Sequence, residues 1–134
     1  MYLRFVYAKP VDGMGGREGF FQAAGELIRD PLADAATVER AQELRAWFND
    51  NLEGPDRFSR GTSKANRGFD GKETKGLSWF KPTAKEHLSK AFELMTLLIE
   101  NGFAIEILKE KRIGYVGYED DYQVVAEPFA DTKT

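Results

Sequence analysis

The sequence predicts an α+β fold: a small antiparallel sheet of about four strands with three helices packed on one face, in the order β-α-α-loop-α-β-β-β. Three observations carry this. The chain opens on a run with a period of two. Its middle holds three stretches with helical spacing of apolar residues, and its last third returns to short β-rich runs joined by brief turns. With 134 residues it fits one domain, spanning 1-134. A domain of this size buries ~65–70% of its unfolded surface, enough for a core without covalent staples.

The first strand is Tyr2 to Ala8, with Leu3, Phe5 and Tyr7 on one face and Tyr2, Arg4 and Val6 on the other. Lys9-Pro10 ends it, because proline cannot donate to a ladder. A glycine-rich turn, Asp12 to Gly16, leads into a first helix beginning near Arg17. Phe20, Phe21, Ala24, Leu27 and Ile28 form its stripe. The second helix starts at an Asp34 N-cap, buries Val38, Ala41, Leu44, Phe48 and Leu52, and stops at Gly54-Pro55. For the third, Thr83 and Glu86 match a capping box, in which a hydroxyl and a carboxylate satisfy two orphan amides. Ala84, Leu88, Ala91, Phe92, Met95, Leu98 and Ile99 make its apolar face, widened by Leu94 and Leu97, and Gly102 supplies the C-terminal turn. Three strands follow, Phe103 to Leu108, Ile113 to Tyr118 and Tyr122 to Ala126. Their links are short enough to predict antiparallel neighbours.

Charge is unevenly spread. The chain carries −3 overall, yet Arg57 to Lys81 holds seven Lys/Arg against two acids. Within a glycine-rich loop at about 55-77, Arg57, Arg60, Lys64, Arg67, Lys72 and Lys75 recur among Gly61, Gly68, Gly71 and Gly76. Arginine forks onto phosphate oxygens, glycine admits backbone amides to an anion, and aromatics such as Phe69 or Trp79 can stack on bases. These residue types predict a small non-enzymatic binding protein that engages nucleic acid or another phosphate-bearing ligand. Against this stands a plain solvated loop, with Trp79 and Phe80 plugging the core. No P-loop pattern is present. The alternative function is a protein-interaction module, an inhibitor or adaptor, using the basic loop and the C-terminal strands. Those strands carry Tyr115, Tyr118 and Tyr122 around the acidic turn Glu119-Asp120-Asp121.

Other candidates are weaker. Gly15, Gly16 and Arg17 form a possible anion site at a helix start. The dinucleotide fingerprint fails there, because Glu18 stands where its third glycine belongs. His87, the only histidine, has no orienting acid in sequence, so no catalytic residue is predicted. The acidic turn reads as a tight turn before it reads as a cation site. With no cysteine there is no disulfide, thiolate or Cys-based zinc site, and no metal or cofactor is expected. No run reaches the ~20 apolar residues of a membrane span, and MYLRFVYAKP lacks a signal-peptide core. These readings predict a cytoplasmic protein.

Overall fold

The computed structural model describes residues 1–10, 17–54, 57–59, 73–129 and 134. Its elements are β1 (Tyr2–Pro10), β2 (Arg17–Gly19), α1 (Phe20–Arg29), α2 (Ala35–Asn51), β3 (Arg57–Ser59) and β4 (Glu73–Lys75). They continue with β5 (Leu77–Phe80), α3 (Lys85–Glu100), β6 (Ile105–Glu110), β7 (Tyr115–Glu119) and β8 (Gln123–Glu127). The α+β class is as predicted, with more strands than expected. Six of them form one sheet in the order β2-β1-β5-β8-β7, with β6 on β1, while β3 and β4 make a separate two-stranded ribbon.

The chain divides into two compact units. One comprises Phe5–Glu53 and Glu86–Ile107, and holds the helices. Its core is aromatic. Phe5 of β1 stacks on Phe20 of α1 at 4.9 Å and meets the edge of Phe92 of α3 at 5.4 Å. Phe48 of α2 packs edge-on to Phe21 at 5.0 Å. Such pairs contribute ~0.5–1.5 kcal/mol each beyond the area they bury. Asp34 caps α2, its carboxylate accepting from the Thr37 amide at 3.3 Å. Gly102, at φ 91°, ends α3 in a Schellman turn: the Phe103 amide donates to the Leu98 carbonyl and the Gly102 amide to that of Ile99.

Three details of the helices and their starts differ from the sequence reading. Arg17–Gly19 is extended and pairs with β1, so α1 starts at Phe20. Lys81 to Ala84 closes a turn, with the Ala84 amide on the Lys81 carbonyl, so α3 starts at Lys85 and the Thr83–Glu86 capping box is not made. The α3 stripe is also rotated. Its buried residues are His87, Ala91, Leu94 and Leu98, whereas Phe92 and Ile99 are 40% and 49% exposed. His87 takes a core position because its Nε2 meets the Asn51 carbonyl of α2 at 2.7 Å.

The other unit comprises Met1–Arg4, Gly54–Lys85 and Leu108–Thr134. Its central strand is β8, whose Gln123, Val124, Val125 and Ala126 are all buried. β5 pairs with it on one side and β7 on the other, both antiparallel. The β7 register slips by one residue between Val116 and Tyr118, placing a bulge at Gly117. At Gly114, φ is 142° and a Cβ would lie 2.0 Å from the Glu127 carbonyl oxygen, so only glycine fits.

The expected pairing of the strands before and after residues 111–114 is corrected: β6 lies on β1 and β7 on β8. A link of that length bounds the distance between strand ends at roughly 16–18 Å, far more than one strand spacing. It therefore permits a hairpin without requiring one.

Candidate functional site

The basic segment is the first place to look. Its two flanks pair as an antiparallel ribbon, Arg57 opposite Lys75, Phe58 opposite Thr74 and Ser59 opposite Glu73. Between the paired strands lies segment 60–72, outside the described residues. By sequence that segment carries four cationic residues and one acid. Arg60, Lys64, Arg67, Phe69 and Lys72 lie outside the described residues, as do Gly15 and Gly16.

Trp79 has a different place from that of a stacking residue. It sits in β5 opposite Val124, 0% exposed, and its indole Nε1 has no hydrogen-bond partner among the described residues. A base cannot reach its ring, so the core-plug reading holds for Trp79. Arg17 lies in β2 and pairs with Glu106 at 2.5 Å, so an anion at this point would compete with a carboxylate already in place.

His87 joins two helices. Besides its bond to Asn51, its ring lies 4.9 Å from that of Trp47, over which Lys90 places its ammonium at 5.8 Å. The neighbouring Asn51 side chain donates to the Trp47 carbonyl at 2.8 Å. These bonds satisfy carbonyls at the end of α2, a structural task.

The acidic turn is likewise built from internal bonds. One Asp120 oxygen accepts from the amides of Tyr122 and Gln123 at 2.8 and 3.0 Å, and the other from the Tyr118 hydroxyl at 2.9 Å. Partial burial works to raise the Asp120 carboxyl, but these donors outweigh it and hold the group below its ordinary range. Among the described residues no cluster of three His, Cys, Asp or Glu is arranged to hold a metal ion. Tyr115 packs edge-on to Phe129 at 4.5 Å, leaving Tyr122 the most exposed of the three C-terminal tyrosines.

A concavity lies in the sheet-rich unit. It has a volume of about 320 Å³ and is bounded by the start of β1, the turn before α3, Lys111 and the end of β7. Lys81 and Glu119 form an ion pair at 2.6 Å on its wall. The hydrogen bond to Glu119 raises the Lys81 ammonium above its ordinary value, against the lesser effect of burial. Nothing local in the chain marks this hollow, since Tyr2, Lys81, Thr83, Lys111 and Glu119 come from four separate stretches.

Among the described residues no helix is long and apolar enough to cross a membrane. No protein-family model, curated protein or solved structure matches the chain.

Proposed function

We propose that the chain is a non-enzymatic binding protein whose basic ribbon, Arg57 to Lys75, engages the phosphates of nucleic acid. The observation that carries this reading is the ribbon's register. It sets Arg57 opposite Lys75 at the base of a segment rich in cationic residues, within a chain of net charge −3. Like charges directly across a ribbon repel, and a bound polyanion converts that repulsion into attraction for both. A two-stranded antiparallel ribbon also has the width that the major groove of a duplex admits. The acidic remainder does not block the ribbon, because screening confines each field to about 8–10 Å.

The test is the anisotropy of a labelled oligonucleotide, single-stranded and duplex, titrated with the full chain at several salt concentrations. Binding should weaken linearly on a log–log plot, with a slope of about −0.7 per phosphate contact for a single strand and about −0.9 for a duplex. Binding that ignores salt, or none at low salt, would remove this reading. The interaction-module reading would then gain, with Tyr122 as its exposed aromatic.

A further inference from the structure

We infer that the hollow bounded by Tyr2, Lys81, Thr83, Lys111 and Glu119 binds a small organic anion: a compact apolar body carrying one phosphate or carboxylate head. This goes beyond the ribbon reading and does not depend on it.

Size sets the first limit. At about 320 Å³ the hollow lies at the low end of small-molecule sites, which span ~300–1,000 Å³. It takes one ring and its substituent, not a folded chain. Lining sets the second. Met1 and Pro82 supply apolar wall, and Tyr2 adds a ring with a polar tip.

Charge sets the third. The lining includes two lysines, Lys81 and Lys111, and one acidic residue, Glu119. Lys81 is held by Glu119 at 2.6 Å, and its side chain is only 22% exposed, so it is positioned before any ligand arrives. Lys111 stands on the link between β6 and β7, exposed, and makes no ion pair among the described residues. Among the lining side chains there is therefore one cation in excess. Hydroxyls of Thr83 and Tyr2 add donors suited to anionic oxygens. An ammonium accepts a phosphate or a carboxylate as partner, so the head chemistry is shared while the volume restricts the body.

Glu119 gives the hollow a property that a surface dimple lacks. Its carboxylate competes with the ligand for Lys81. Removing that charge while keeping the shape should strengthen anion binding.

The experiment is a titration of the full chain with phenyl phosphate, with benzoate, and with neutral benzyl alcohol, followed through the backbone amide resonances. Saturable shifts at Tyr2, Lys81, Thr83 and Lys111 are expected with an anion and not with the alcohol. Saturation by phenyl phosphate alone assigns a phosphate head, and by benzoate alone a carboxylate head. Lys111→Ala should weaken binding about tenfold, the loss of one charge-assisted hydrogen bond. Glu119→Gln should tighten it several-fold. No saturation by either anion, or unchanged affinity in both variants, overturns the site. Arg57→Ala, which tests the ribbon, should leave the phenyl phosphate titration as it was, so the two readings fail separately.

Discussion

The chain has two charged clusters at strand junctions, and they are built in opposite ways. In the acidic turn after β7 the charges are answered from within. Asp120 gathers donors from Tyr118, Tyr122 and Gln123, and Glu119 holds Lys81. In the basic ribbon the register opposes like with like, Arg57 to Lys75. Clusters of the first kind stabilise a turn and leave little for a ligand. Clusters of the second kind cost stability unless something of opposite charge is bound. Composition alone does not separate the two, because both read as a run of one sign.

That contrast can be broken by experiment. The largest effect is expected for Arg57→Glu with Lys75→Glu. The doubly reversed ribbon keeps a like-charge pair, so its stability should hardly change. Oligonucleotide affinity should nevertheless drop at least about a hundredfold, since two phosphate contacts become repulsive. Equal affinity of the double variant and the native chain in anisotropy would end the ribbon reading.

Next comes Asp120→Ala. It strands donors that the carboxylate now satisfies and should cost roughly 1–3 kcal/mol in urea unfolding, with oligonucleotide binding unchanged. A neutral effect on unfolding would mean that the turn does not depend on its acid.

The same carboxylate has a pH signature. Its folded-state pKa is depressed, so its stabilisation is fully present above the unfolded carboxylate pKa and is lost as pH falls through the folded value. Unfolding midpoints taken downward from pH 5 should therefore fall less steeply in Asp120→Asn than in the native chain. The smallest effect is expected for Lys75→Glu alone. Placing opposite charges across the ribbon should raise stability by about 0.2–1 kcal/mol while weakening oligonucleotide binding. A gain in both would contradict the idea that the native pair is kept for a ligand.

What could be read from the sequence was what local chemistry decides. The Asp34 cap and the Gly102 terminus were both legible, because each depends on one residue type and a few neighbouring backbone groups. The rotation of α3 was not. Its apolar residues cover more of the helix than one stripe, so spacing could not say that Leu94 faces inward while Phe92 and Ile99 stay partly outside. Nor could it say that His87 would find a carbonyl on α2.

β5 was missed for a related reason. Four residues after a glycine-rich stretch give too short a pattern, and only β8 beside them makes Leu77–Phe80 a strand. The basic segment was visible as composition, whereas the opposition of Arg57 and Lys75 required a register. The hollow beside Lys81 was invisible, since no local rule links Tyr2 with Lys111 and Glu119.

The two compact units are interleaved along the chain, which passes between them at residues 4/5, 53/54, 85/86 and 107/108. During synthesis this orders events. The helical unit has all its residues once Ile107 has left the ribosome, and its aromatic core can close then. The sheet-rich unit already has Met1–Arg4 and Gly54–Lys85 by then but waits for β8, which supplies the middle of its ladder. For that interval β5 can pair with β1 but its other edge has no β8, an open strand edge of the kind that seeds association between nascent chains.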